Sequence, residues 1–177
     1  MLTANYFKGI AVLTTGRYSP YKFVNYAGQT KQASMRSYMD DGMIKIDNGT
    51  SAHCITMKKL GSTTGQRGII FGTGDAEPAF HDYKLSGNII SGLTGSISTT
   101  YADNSDGATI TAKCLLTNTG SNEVTIKEVG LIGSYYGSTS AEYCVLVDRA
   151  VLEEPVTIPA GGVGEVTYRI TIKAPTI

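Results

Sequence analysis

The run Glu165-Val166-Thr167-Tyr168-Arg169-Ile170-Thr171-Ile172-Lys173 alternates polar and apolar residues without a break. Successive side chains on a β-strand point to opposite faces. Val166, Tyr168, Ile170 and Ile172 therefore share one face, and Glu165, Thr167, Arg169, Thr171 and Lys173 the other. A helix would scatter the same apolar residues around its circumference. Upstream, the rhythm recurs. Ala108–Thr117 puts Ile110, Ala112, Cys114 and Leu116 inward and Thr109, Thr111, Lys113 and Thr117 outward. Ser96–Ala102 puts Ile97, Thr99 and Tyr101 on one face, and Arg67–Phe71 is a short apolar strand stopped by Gly72-Thr73-Gly74.

Two further strands carry irregularities. Glu123–Ile132 begins with Val124 and Ile126 inward and then changes phase to Val129 and Leu131, as a β-bulge would make it. Tyr143–Val151 is apolar on both faces until Asp148, as expected of a strand covered on both sides. Turn chemistry separates the strands: Asn104-Ser105-Asp106-Gly107, Asn118–Asn122, Tyr136–Thr139 and Pro159-Ala160-Gly161-Gly162. The expectation for residues 67–177 is an antiparallel β-sandwich, Ig-like or jelly-roll. Pro159 fixes φ and Gly161 and Gly162 permit positive φ, so the strands on either side are expected to pair.

The first third reads differently. Leu2, Tyr6, Ile10 and Leu13 lie near one face of a helix over 2–15, with Gly16 as its stop. Tyr21–Tyr26 and Thr30–Ser34 are expected to pair across Ala27-Gly28-Gln29. Met43–Ile46 and His53–Met57 are expected to pair across Asp47-Asn48-Gly49-Thr50. Gly61–Gly68 is a connector. The organisation expected is a helix and hairpins over 1–66, serving docking and assembly, followed by the sandwich over 67–177.

The 177 residues carry 15 basic and 15 acidic side chains, a balance that supplies no field for holding a phosphate backbone. Charged residues are 17% of the chain, below the ~25% usual for soluble domains. Nucleic acid is not an expected partner. No run approaches the ~20 apolar residues of a membrane span, and the first residues lack the basic start of a secretory signal. Membrane association is not expected. Cys54, Cys114 and Cys144 cannot all pair within one chain and match no zinc or redox spacing. Cys114 and Cys144 fall inside strands, as inert buried thiols do, and the set suits a reducing compartment.

Chemistry-bearing residues converge poorly. His53 and Cys54 are adjacent, so on a strand they point apart and cannot act as base and nucleophile. His81-Asp82 is read as satisfying loop backbone groups rather than transferring a proton. Gly72-Thr73-Gly74 follows a strand, but a G-x-G-x-x-G motif would need glycine where Glu77 stands, and no helix pattern follows. Asp103–Gly107 resembles part of a calcium loop, yet Cys114 occupies the closing position that needs Glu. Asn48-Gly49-Thr50 is read as a turn. No nucleophile, base and oxyanion donor converge as a hydrolase requires, so no catalytic residue, cofactor or metal is expected.

Tyrosine numbers 11 and supplies large contact area at small entropic cost. Tyr135 and Tyr136 in a loop, and Tyr18 and Tyr21 with Tyr26 and Tyr38 in the first third, are candidate interface residues; sugar stacking is the other use for such rings. Asp148 and Arg149 are read as a local ion pair at a strand end or as an intersubunit contact.

A resemblance rests on Phe71-Gly72-Thr73-Gly74, Pro78, Asp82-Tyr83-Lys84-Leu85, Glu128-Val129-Gly130-Leu131, Leu146–Leu152, Pro155–Gly162 and Val166–Ile170 in that order. Over residues 68–177 these segments resemble small virion structural proteins of tailed bacteriophages, of the minor structural, tail or head-decorating type. The resemblance implies a non-enzymatic particle component, assembled in the host bacterial cytoplasm and located in the virion. It implies other virion proteins as partners and a homo-oligomer on capsid or tail. The alternative is a receptor-binding module of the virion that grips host-surface glycan.

Overall fold

The structure is a computed structural model that describes residues 1–4, 22–32, 39–40, 43–44, 60–61, 67–104, 107–136 and 142–173. Its strands are β1 (Lys22–Val24), β2 (Thr30–Gln32), β3 (Met39–Asp40), β4 (Met43–Ile44), β5 (Gly68–Gly72), β6 (Leu93–Asn104), β7 (Gly107–Asn118), β8 (Val124–Tyr136), β9 (Glu142–Ile158) and β10 (Val163–Lys173). Two three-stranded antiparallel sheets, ordered β10-β7-β6 and β5-β8-β9, dominate a mainly β chain. The pairs β1-β2 and β3-β4 are separate two-stranded ribbons.

The alternation that marked β7 and β10 is observed. Ala112, Cys114, Leu116, Val166, Tyr168 and Ile170 are buried, while Lys113, Leu115 and Arg169 are exposed. They share one apolar cluster with Ile69, Phe71, Ile126, Val129, Leu131, Val145, Val147 and Ile158 of the other sheet. Burying one such aliphatic side chain stabilises by about 1.5–3 kcal/mol. Tyr101 and Ile172, on the same faces as buried neighbours, are 65% and 44% exposed. Ile172 lies one pleat past Ile170, beyond the shared cluster, whereas Tyr101 is level with Ile110 and Ile170 but stands on the edge strand β6.

The β5-β8-β9 sheet is covered on its other face too. Ile70, Ile132 and Leu146 pack there with Leu85, Tyr26 and Ile89. This accounts for the doubly apolar β9: Val145 and Val147 serve one cluster and Leu146 the other. The bulge expected in β8 is found, with the register jumping from Ile126↔Val156 to Glu128↔Val151. Pro155, which cannot donate to a ladder, sits in the unpaired stretch of β9 opposite.

The connection after β9 departs from expectation. The Pro159–Gly162 turn does not close a hairpin; β10 leaves the sheet of β9 and joins β7. The Asn118–Asn122 turn likewise carries the chain between sheets, from β7 to β8. Gly161, with φ of 69°, permits the sharp reversal that makes this crossing.

The β1-β2 ribbon pairs as expected, turning at Gly28 (φ 78°). Met43–Ile44 finds its partner in Met39–Asp40, while His53–Met57 lies outside the described residues. So does most of the expected helix over 2–15. At its start Leu2 makes a β-bridge to Asp148, and the Thr3 amide donates to the Val147 carbonyl at 2.8 Å. No helix occurs among the elements of the described residues. None there is therefore long and apolar enough to cross a membrane.

Candidate functional site

The most concentrated polar chemistry lies under the 73–88 loop, on the outer face of the β5-β8-β9 sheet. The β8 bulge creates it. Ile126 faces the shared core, and unbroken alternation would send Glu128 there as well. The extra residue Lys127 turns Glu128 to the opposite face. On β9 a second irregularity sets Leu131 opposite Asp148 but Ile132 opposite Leu146. Asp148 then serves the core side, and Arg149 returns to the face of Glu128.

Glu128 is fully buried and saturated with donors. Its Oε2 accepts from Arg149 Nε at 2.8 Å, from the Ser86 amide at 3.0 Å and from Ser86 Oγ at 3.2 Å. Its Oε1 accepts from the Gly74 amide at 2.9 Å and the Gly87 amide at 2.8 Å. Arg149, 2% exposed, donates from Nη1 to Asp82 Oδ2 at 2.8 Å and from Nη2 to the Ala76 carbonyl at 2.6 Å. Asp82 in turn accepts from the Ala79 amide at 2.8 Å. One guanidinium and one carboxylate thus fasten both limbs of the loop to the sheet. A Cβ at Gly74 would fall on Ser86 Oγ and the Gly87 amide, so the two limbs meet only because both positions are glycine.

The electrostatics favour fixed charges. Burial opposes ionisation of Glu128, but the Arg149 bond and the Gly87 and Ser86 amides outweigh it and hold the carboxyl below its usual range. Burial likewise opposes the charged form of Arg149, and its bonds to Glu128 and Asp82 more than compensate. Neither group is poised to exchange a proton near neutrality. The arrangement is a clamp rather than an acid–base pair.

Two smaller polar sites tie other parts together. Tyr168 Oη donates to Asp148 Oδ2, joining β10 to β9 across the two sheets. Burial, then the Asp148 charge and this bond, push the Tyr168 phenol well above its ordinary value. Asn118 is fully buried between the two crossing turns. Its Nδ2 donates towards the carbonyls of Asn122 (2.8 Å), Ile158 (3.1 Å) and Pro159 (3.2 Å), and its Oδ1 accepts from the Gly120 amide at 3.0 Å. Its backbone amide donates to the Gly162 carbonyl at 3.0 Å, and its carbonyl accepts from the Gly161 amide at 2.9 Å. Six bonds therefore converge on one residue that the sequence marks only as a turn.

No family model, curated protein or solved structure matches this chain. Its own geometry carries what can be said of function. Segments Phe71–Gly74, Asp82–Leu85, Glu128–Leu131 and Leu146–Leu152, dispersed in the chain, meet at the clamp.

Residues singled out from sequence are placed as follows. Asp148 and Arg149 do not pair with each other at an exposed strand end. They are 3% and 2% exposed, point to opposite faces and are bonded within the chain, which leaves neither free to reach a neighbouring subunit. Tyr135 and Tyr136 end β8, opposite Tyr143 and Glu142, rather than lying in a loop. Tyr18, Tyr21, Tyr38, His53 and Cys54 lie outside the described residues. Tyr26 is half-buried, and its Oη accepts from the Leu85 amide at 3.0 Å, a packing role. His81 stacks edge-on with Phe80 at 5.1 Å between ring centroids. Cys114 is buried, and burial pushes its thiol up to about 11. Among the described residues no three His, Cys, Asp or Glu side chains are grouped to hold a metal ion.

Proposed function

We propose that this chain is a non-enzymatic structural protein of a tailed-bacteriophage particle. In this reading its two sheets form a β-sandwich building block, Ig-like or jelly-roll, and copies assemble as a homo-oligomer on capsid or tail. The observation that carries it is the use made of buried charge. Glu128 and Arg149 spend their bonding capacity on holding a loop to a sheet, and Asp148 is spent on Tyr168. Groups committed in this way supply rigidity rather than turnover. Four of the segments that carry the resemblance, Phe71–Gly74, Asp82–Leu85, Glu128–Leu131 and Leu146–Leu152, meet at the clamp, which supports a resemblance of architecture. The even balance of 15 basic and 15 acidic residues suits a component packed among other proteins.

The test is physical location. Quantitative mass spectrometry of particles purified from lysates of cells producing the chain should find it at a fixed, multiple copy number per particle. Labelling the C-terminus and imaging the particles then separates capsid from tail. Recovery of the chain only in the soluble lysate would overturn the proposal. A glycan array with saccharide-dependent signal, lost in Tyr135→Ala and Tyr136→Ala, would replace it with receptor binding.

A further inference from the structure

We propose that β6 is the assembly edge, pairing antiparallel with β6 of a second copy so that two three-stranded sheets join into one of six. This rests on the homo-oligomer reading above and names the surface that reading leaves open.

Of the four sheet edges, three carry the protections that keep strands from pairing with other chains. The β9 edge is occupied: Thr3 and Tyr26 donate amides to the Val147 and Cys144 carbonyls, and the Arg149 amide donates to the Met1 carbonyl. Beyond that strap, β9 carries Glu153, Glu154 and Pro155. The β5 edge is short and taken, with the Gly61 amide donating to the Ile69 carbonyl and the Ile90 amide to the Phe71 carbonyl. The β10 edge presents Glu165, Arg169 and Lys173. β6 has no such device. It is 12 residues long, and from Leu93 to Ala102 it contains neither charge nor proline. Among the described residues only β7 pairs with it. Its outer row of N–H and C=O groups is a template for another strand.

The sequence of that edge suits a copy of itself. With Ile97 opposite Ile97 of the second copy, antiparallel pairing sets Leu93 against Tyr101 and Gly95 against Thr99 on the core-side face. On the other face it sets Thr94 against Thr100 and Ser96 against Ser98. Leu93 then faces Tyr101, Ile97 faces Ile97, and hydroxyls face hydroxyls on the other face, pairs that stabilise antiparallel sheets, while Gly95 leaves room beside Thr99. Sliding by one pleat in one direction puts Leu93 against Asp103, and in the other sets Tyr101 against Ser91. The matched register has a two-fold axis through Ile97, giving a closed, self-complementary contact. It also covers Tyr101, 65% exposed in the single chain.

The test uses the full chain in sedimentation velocity across a concentration series, with far-UV circular dichroism to verify folding. Ser96 and Ser98 are exposed, so substitutions there spare the core. In S96E/S98E the register places like charges opposite each other twice; in S96K/S98E it places opposite charges there. The two variants differ only in the sign at 96, and Ser98 faces Lys113 of its own sheet in both. The expected result is an even-numbered oligomer for the natural sequence, with at least about tenfold weaker association in S96E/S98E and recovery in S96K/S98E. A monomeric or odd-numbered natural protein overturns the pairing, and a monomer overturns homo-oligomer assembly with it. Undiminished association of S96E/S98E overturns the edge assignment alone and leaves homo-oligomer assembly standing. Loss in both variants overturns the pairing register.

Discussion

Replacing Glu128 with Gln removes one charge from the clamp without changing its volume. The carboxylate serves Gly74 and Gly87 from Oε1 and Ser86 and Arg149 from Oε2. An amide has one oxygen, so whichever way it turns, its NH2 faces two N–H donors that lose their acceptor. Each stranded buried donor costs about 1–3 kcal/mol, and breaking a buried ion pair from one side costs about 3–5 kcal/mol in total. For a chain of this size each kcal/mol lowers Tm by about 2–4 °C, so the loss expected is about 6–20 °C. The chain has no tryptophan, so far-UV circular dichroism is the signal of choice for thermal and urea unfolding. The pH dependence provides a second reading. The Glu128 carboxyl is held below its ordinary 4.5 when folded. Its contribution is therefore fully present above pH 4.5 and is lost as pH falls through the lower folded value. Natural protein should lose stability steeply on that acid limb, and E128Q should show a flatter one. A cost under about 1 kcal/mol, or an unchanged acid limb, would refute the clamp as the fastening of the loop.

Asn118→Asp keeps the shape but faces a carboxylate with three carbonyls, so urea unfolding should show a loss of about 3 kcal/mol or more at pH 7 and a smaller loss near pH 4. The Tyr168 phenol is raised when folded, so its contribution is complete below 10.0 and fades as pH rises above it. Tyr168→Phe should remove that alkaline limb in melts recorded between pH 9 and 11, and cost about 1–3 kcal/mol at neutrality by leaving Asp148 Oδ2 without its donor while Oδ1 keeps its ion pair with the Met1 amino group. Cys114, with its thiol pushed up to about 11, should resist alkylation at pH 8 in native protein and react once denatured, as peptide mass mapping would record.

The strands from β5 onward were legible from local properties: a two-residue rhythm in β7 and β10, and short apolar runs bounded by turn residues in β5 and β9. Which strands share a sheet was not. Pro159–Gly162 specifies a reversal, and reversal is compatible with a hairpin or with passage to the facing sheet; packing of Val166, Tyr168 and Ile170 against the shared core decides between them. The clamp was the least legible part. Glu128 is 54 residues from Gly74, and its side chain reaches the loop only because Lys127 shifts the phase. From the sequence, Arg149 reads as half of a local ion pair with Asp148 at a strand end, or as an intersubunit contact. A signal was nevertheless present in β9: Asp148 and Arg149 interrupt a run, Val145 to Val151, that is otherwise apolar on both faces, where a charge would be too costly to bury without a partner. The bulge itself was visible as a change of phase, but not what it turns outward.

The strap formed by Met1–Thr3 has a consequence for how the chain matures. Thr3 Oγ1 donates to the Leu146 carbonyl at 2.7 Å across 143 residues of sequence. Contacts of such separation form slowly, because a long loop must close before they repay its entropy. During synthesis Met1–Thr3 must wait until β9 has emerged, and the flank of β9 then stands bare until they close on it. Newly made chains would therefore pass through an interval in which they can pair in unintended ways, and the strap's arrival would bring it to an end.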